Sequence, residues 1–234
     1  MNNLAIIPAR GGSKRIPKKN TKPFLGIPII EYSIKAALDS DIFQEVMVST
    51  DDHEIAEIAT KSGAVVPFIR SVENSNDYAT LYDVVYEVLN WYKAKKIDFE
   101  AVSCIMATCP FLKPEQIIEA HSILCQDETD SVLPVVKFDY PIQRALKKNK
   151  KGHLNFCNLE DYKTRSQDLE ETYHDAGMFY FTKVNSFLKK NNNRLSSGSI
   201  KPFLINSFES QDIDTIEDWN IAEMKFKILE KNVR

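Results

Sequence analysis

Short apolar runs alternating with segments of helical periodicity constrain this chain more than any other feature. Leu4-Ala5-Ile6-Ile7 reads as a buried strand. Pro28, at a first helical position, opens a helix carried by Ile29, Ile30, Ile34, Ala37 and Leu38. Val46 to Thr50 reads as the next strand. Asp51 and Asp52 precede a helix over residues 54–61 that Gly63 stops. Residues 64–69 are a third strand candidate. Asp77 is placed to cap a helix over residues 78–96, whose apolar face is Leu81, Val84, Val85, Val88, Leu89 and Tyr92. Residues 101–107, 114–125 and 131–136 continue as strand, helix and strand. This order predicts an α/β protein with a mostly parallel sheet covered on both faces.

The alternation fails between Phe138 and Tyr173. That stretch is polar and contains Lys147-Lys148-Asn149-Lys150-Lys151-Gly152, a turn signal, so we read an insertion at about 138–173 within a single domain of residues 1–234. Met178 to Phe181 returns to strand character. A final helix over 215–231 begins with Thr215 and Asp218 spaced as a capping box.

Composition removes several classes. The net charge of -3 argues against a protein that coats nucleic acid. No apolar run approaches the roughly 18–20 residues of a membrane span, and the N-terminus lacks a positive region. Cys104, Cys109, Cys125 and Cys157 form no CxxC pair, so reduced thiols are expected. Together these predict a cytoplasmic protein with neither nucleic acid nor membrane as partner.

The most informative segment is Ala9-Arg10-Gly11-Gly12-Ser13-Lys14-Arg15-Ile16-Pro17-Lys18-Lys19-Asn20. It follows the first strand, on the edge where α/β sheets bind ligands. Its glycines let backbone N–H groups approach a ligand, and its cations suit a nucleoside triphosphate of about four negative charges. It is neither a Walker A loop nor a dinucleotide fingerprint. The competing reading is a solvated basic loop.

Asp212-Ile213-Asp214 is the second constellation. In extended backbone both carboxylates face one side and can reach one Mg²⁺. Alternatively, one of them caps the last helix. Thr50-Asp51-Asp52 ends a strand, where sites and helix caps both occur. Arg70, with Asp77 and Thr80 further on, forms a polar cluster suited to a base and ribose. His174-Asp175 is a candidate acid–base pair, and Cys109 lacks a basic neighbour that would activate it.

The segment Ile7 to Asn20 resembles the signature of the CMP-sialic acid synthetases, cytidylyltransferases that activate nonulosonic acids. Ser49-Thr50-Asp51-Asp52, Arg70, Asp77-Tyr78-Ala79-Thr80, Ala107-Thr108-Cys109-Pro110-Phe111, Asp175 to Tyr180 and Gln211 to Thr215 match further family segments in order. The resemblance covers nearly the whole chain. It implies a Rossmann-like, three-layer nucleotidyltransferase fold and a homodimer held by the insertion. It also implies transfer of CMP from CTP to a nine-carbon 2-keto sugar acid, with Mg²⁺ at Asp212 and Asp214. Arg10, Lys14 and Lys19 would act in catalysis beside those aspartates. Ala9, Arg10, Gly11, Gly12, Ser13, Lys14, Asn20, Arg70, Asp77 and Thr80 would bind the nucleotide. Met106, Arg165, Gln167, His174, Asp175 and Phe179 would bind the sugar, Arg165 from the partner subunit. Met106 and Asp175-Ala176 depart from the residues that accompany N-acetylneuraminate, and other segments resemble the branch acting on pseudaminic acid. N-acetylneuraminic and legionaminic acids are the alternative acceptors. A metal-dependent glycosyltransferase, which also uses a DxD pair on an α/β fold, is the alternative class.

Overall fold

The computed structural model describes residues 1–189 and 193–232. In chain order the elements are β1 (Asn3–Pro8), β2 (Pro23–Phe24), β3 (Ile27–Pro28), α1 (Ile29–Asp39), β4 (Glu45–Ser49), α2 (His53–Lys61), α3 (Leu81–Ala94), β5 (Ala101–Ile105), α4 (Pro114–Leu124) and β6 (Ser131–Lys137). There follow β7 (Leu146–Lys148), β8 (Leu154–Phe156), β9 (Tyr173–Asp175), β10 (Phe179–Lys183), α5 (Val184–Phe187), β11 (Ile200–Leu204) and α6 (Ile216–Asn232).

The main sheet has the order β11-β6-β10-β5-β1-β4. Strands β4, β1, β5, β6 and β11 point one way, while β10 runs against its neighbours β5 and β6. Strand β9 pairs antiparallel with the far half of β6, so β9 and β10 lie along one line, interrupted at Ala176–Met178. The parallel character read from the alternation therefore holds, with this one reversed line through the sheet.

Alternation along β1 explains the layers. Ala5 and Ile7 join a core with Ile30, Ile34 and Ala37 of α1, Ile55 and Ala59 of α2, and Ile117, Ala120 and Leu124 of α4. Leu4 and Ile6 point to the opposite face, against Val85, Val88, Leu89 and Tyr92 of α3. Successive strand residues face opposite sides, so one all-apolar strand serves two helical layers. Each large side chain buried in this way contributes about 1.5–3 kcal/mol.

Four expectations are corrected. Residues 64–69 form no strand; Val65 makes only an isolated bridge to Met47, because two exchanges with β4 exhaust the pairing before the chain leaves the edge. Helix α3 begins at Leu81, not Tyr78. Its cap is Thr80, whose hydroxyl accepts the Asp83 N–H while the Asp83 carboxylate accepts the Thr80 N–H. Asp77 is thus no cap. Pro28 sits one residue outside α1, as its N-cap, and closes the β2–β3 hairpin.

The insertion is present as an excursion between β6 and β9. Its hairpin β7–β8 turns at Asn149, whose carboxamide oxygen accepts the N–H groups of Lys151 and His153, and at Gly152 with φ +85°. Arg144 ties the hairpin to the following turn through the Thr164 carbonyl and the Ser166 hydroxyl. No residue from 137 to 175 is buried. No helix among the described residues is long and apolar enough to cross a membrane.

Candidate active site

The site grows from the C-terminal edge of β1 and β5. Ala9 is buried, its N–H donating to the Ser49 carbonyl, and fixes the start of the loop against β4. Gly11 donates its N–H to Asp51 Oδ1 at 3.0 Å. A Cβ there would stand 2.5 Å from Asp52 Oδ2, so any larger residue would push the Asp52 side chain aside. That corrects the reading of its N–H as free for a ligand: the group already has a partner inside the protein. Gly12 is exposed, with open space around it. Asp52 caps α2, accepting from Glu54 and Ile55 N–H groups at 2.8 and 3.1 Å. The two aspartates after β4 therefore divide the work, one bracing the loop and the other capping a helix.

Two residues hold the loop down. Asn20 is buried, and its amide donates to the Arg10 carbonyl at 2.9 Å. Ile16 is buried beside Phe24, Phe111, Ile213 and Trp219. With these anchors inside, Lys14 and Arg15 on the same loop remain exposed.

The anchoring of Ile213 in that cluster decides the geometry of the acidic pair. Its side chain points inward, so Asp212 and Asp214 project from the other side of the extended segment. Asp214 Oδ2 accepts from Arg15 Nη1 at 2.6 Å, and Lys19 Nζ lies 3.6 Å from Oδ1. Lys19 also donates to the Ile213 carbonyl at 2.6 Å. Local desolvation, then the like charge of Asp214, hold the Asp212 carboxyl above its ordinary range. Neither aspartate caps α6 with its side chain. That role falls to Thr215 and Asp218, in the reciprocal bonds the sequence spacing suggested.

Between loop and sheet lies a cavity of about 190 Å³, lined by Pro8, Arg10, Ser13, Lys14, Arg15, Ile16, Lys19, Asn20, Arg70, Met106, Ala107 and Thr108. Arg70 is buried and donates to the Ser49 carbonyl at 2.8 Å, while its Nε has no partner among the described residues. Burial lowers its pKa from the ordinary guanidinium value. Met106 is locked by its backbone: its N–H donates to the Met178 carbonyl and its carbonyl accepts from the Ser33 hydroxyl. The side chain stays half-buried at the cavity wall.

Other candidates read from the sequence fall elsewhere or behave differently. Asp77 pairs with Arg10 and Lys14 across the mouth of the loop. Thr80 spends its hydroxyl on the helix cap. Phe179 is corrected outright: it is wholly buried in β10 against Phe203 and offers no surface to a sugar. His174 and Asp175 do not form an acid–base pair through the carboxylate, because neighbours on a strand face opposite sides. His174 Nδ1 meets the Asp175 carbonyl at 2.9 Å, and its ring packs on Phe138. The Asp175 carboxylate instead accepts from Tyr180 at 2.5 Å and Gly177 N–H at 2.8 Å. Arg165 and Gln167 stand exposed on the excursion, outside the cavity lining. Cys109 is buried and its thiol is pushed up to about 12 by desolvation, which agrees with an inert core cysteine.

Three pairings escaped the sequence reading of the site. Asp51 braces the loop, Arg15 bridges to Asp214, and Tyr180 holds Asp175. Asp51 and Arg15 stood in plain view as charges, but their partners are 40 and 199 residues away. Tyr180 lies in the segment that also carries Asp175, where no spacing rule pairs a hydroxyl with a carboxylate across the strand break.

A cation-rich loop on the ligand edge of a three-layer α/β sheet, beside a carboxylate pair, suits a nucleotidyltransferase. Comparison with known proteins carries this further. The family model for cytidylyltransferases matches residues 4–216, and the chain belongs to that family. It is 41% identical over 228 residues, 97% of each chain, to a pseudaminic acid cytidylyltransferase of Campylobacter jejuni. It is 34% identical over 240 residues, 99% of this chain and 98% of the other, to a CMP-N,N'-diacetyllegionaminic acid synthase of Legionella pneumophila. The fold matches that of a CMP:2-keto-3-deoxy-manno-octonic acid synthetase complexed with CTP, at a TM-score of 0.70 and 16% identity over 99% of this chain and 100% of that one.

Proposed function

We propose that this enzyme transfers CMP from CTP to the anomeric hydroxyl of a nonulosonic acid, pseudaminic acid in the first place, and releases pyrophosphate. The observation that carries the reading is the convergence of Arg10, Lys14, Arg15 and Lys19 on one cavity, with Asp214 paired to Arg15 and Lys19 and Asp212 two residues before it on the same extended segment. The 41% identity with the Campylobacter jejuni enzyme supports the choice of acid.

In this reading the sugar hydroxyl gives up its proton to water as its oxygen attacks the α-phosphorus, the bond from that phosphorus to the bridging oxygen breaks, and pyrophosphate leaves with the electron pair. Arg10 and Lys14 grip the leaving phosphates and stabilise the charge that builds on them. Arg15 and Lys19, freed from Asp214, turn toward the same charge. Asp212 and Asp214 fit Mg²⁺: they are hard oxygen donors on one side of an extended segment, and their mutual repulsion favours a cation between them. Mg²⁺ held by Asp212 and Asp214 would neutralise phosphate charge and would make the attacking hydroxyl more acidic. Arg70 and Asn20 hold the pocket wall against the nucleoside, and Met106 presents an apolar wall toward the acceptor.

The test is an end-point assay of purified protein with CTP, Mg²⁺ and a panel of nonulosonic acids, the CMP-sugar being identified by mass spectrometry. A product only from legionaminic acid would keep the chemistry and change the acceptor. Consumption of a ready-made sugar nucleotide would replace the reading with a glycosyltransferase.

Loop charge has its own test. Arg10→Ala is expected to lower kcat/KM for CTP by about 10–100-fold, the loss of a charge-assisted contact of roughly 1.5–3 kcal/mol. Lys150→Ala, in the exposed β7–β8 turn, is expected to change it less than about twofold. Equal effects would return the loop to solvated charge.

The excursion over residues 138–172 supports a homodimer. Tyr140, Leu154, Leu159 and Tyr162 are each more than half exposed on a segment without a core of its own. Such apolar surface calls for cover, and a two-fold copy of the chain is the commonest way to supply it. With Arg165 reaching the partner's sugar carboxylate, Arg165→Ala and Asp214→Asn subunits, each inactive alone, are expected to regain activity on mixing, since a mixed dimer keeps one intact site. Full activity in a protein that sediments as a monomer would exclude this.

A further inference from the structure

Asp77 belongs by position to the nucleotide cluster, yet its contacts are those of a rival to the nucleotide. Its Oδ1 accepts from Arg10 Nη1 at 2.9 Å and its Oδ2 accepts from Lys14 Nζ. Arg10 Nη1 also donates to the Asn76 carbonyl at 3.1 Å. Both cations line the cavity beside the phosphate loop.

The segment that carries Asp77 is built, not merely draped. Glu87 on α3 accepts from Ser71 N–H at 3.0 Å and from the Asn74 amide at 2.6 Å. The Asn76 carboxamide oxygen accepts from Tyr78 and Ala79 N–H groups at 2.7 and 3.0 Å, which turns the chain at Asp77. The Thr80–Asp83 capping box fixes the other end. Asp77 is held out to the two cations from a fixed base, and their hydrogen bonds keep its carboxyl below the ordinary range.

We propose that Asp77 is an internal competitor for the polyphosphate group: its carboxylate occupies Arg10 and Lys14 until a polyphosphate displaces it, and takes them back as pyrophosphate leaves. The idea rests on the nucleotide-transfer reading above. A carboxylate presents two oxygens to a guanidinium and an ammonium much as a phosphate does. Once the polyphosphate has taken the cations, Asp77 adds a like charge beside it, which weakens both substrate and product at this locus. The gain is release of a product whose charge would otherwise hold it in the loop.

The test uses inorganic tripolyphosphate and pyrophosphate, which carry neither base nor sugar, with CMP as the single-phosphate control. Binding to the full-length protein is measured by calorimetry for wild type, Asp77→Asn, Asp77→Ser and Glu73→Gln. Glu73 lies on the same loop and makes no side-chain ion pair among the described residues, so it reports the general field of one negative charge. Freeing two exposed ion pairs is expected to tighten tripolyphosphate and pyrophosphate binding roughly threefold to twentyfold in both Asp77 variants. CMP binding and the Glu73→Gln variant are expected to change less than about twofold. Unchanged or weaker polyphosphate binding in the Asp77 variants overturns the proposal, as does an equal effect of Glu73→Gln. Absence of polyphosphate binding in every protein overturns it too, since nothing then competes for the cations. If wild type fails to use CTP but the Asp77 variants still tighten on tripolyphosphate, the nucleotide reading fails and the competitor stands.

Discussion

Asp214→Asn is expected to lower kcat/KM by about 10²–10³-fold while the protein stays folded. The amide keeps the shape of the side chain and removes its charge, so the loss reads the cation requirement of the segment. Structural collapse is not expected: the Asp214 bonds to Arg15 and Lys19 lie at the surface edge of the site, where ion pairs contribute little to stability. Nor does Asp214 hold α6, whose cap is the Thr215–Asp218 box. Kinetics across a Mg²⁺ titration, with thermal unfolding in parallel, separate the two effects. Near-wild-type turnover at low Mg²⁺ would leave Asp214 as a mere partner for Arg15.

The second large effect concerns the acceptor. We expect kcat/KM for pseudaminic acid to exceed that for N-acetylneuraminic acid by about 10²-fold, the discrimination one polar mismatch in a pocket can supply. Met106 cannot offer the two-sided hydrogen bonding of a carboxamide, and its backbone bonds to Met178 and Ser33 stop the wall from moving to compensate. Asp175, held by Tyr180 and Gly177, is an acceptor fixed in one orientation near the strand break. Pseudaminic acid carries a second acylamino group and a deoxygenated C9. It thus brings an N–H donor and a methyl where N-acetylneuraminic acid brings hydroxyls. Comparable efficiencies for the two acids, at saturating CTP, would make the enzyme a general nonulosonic acid synthetase.

Much of the fold was legible because its signals are local. The β1 run, the capping box at Thr215 and the turn read over 147–152 depend on residues within a few positions of one another; the first two lie where the spacing placed them, and the turn begins at Asn149 because Lys147 and Lys148 pair in β7. The excursion was legible as an absence of pattern. Errors arose where local propensity met long-range competition. Residues 64–69 had strand composition, but a strand exists only through its neighbour, and Val65 finds just one bridge on β4. Asp77 had the composition of a helix cap, but two cations 67 and 63 residues away claim it. Phe179 stood next to candidate sugar contacts, yet alternation along β10 turns it into the core.

The sequence by itself determined which residues carry charge, which runs can be strands or helices, and that a basic glycine loop and a D-x-D pair accompany an α/β pattern. Those properties follow from side-chain chemistry and from the strand and helix periods of about 2 and 3.6 residues, which can be counted along the chain. Only the tertiary structure decided the pairings: Asp51 with Gly11, Arg15 with Asp214, Asp77 with Arg10 and Lys14, Tyr180 with Asp175. A carboxylate is chemically the same whether it caps a helix, braces a loop or faces a cation. Its role is set by which opposite charge or N–H group folding brings within about 3 Å, and chain order does not encode that separation.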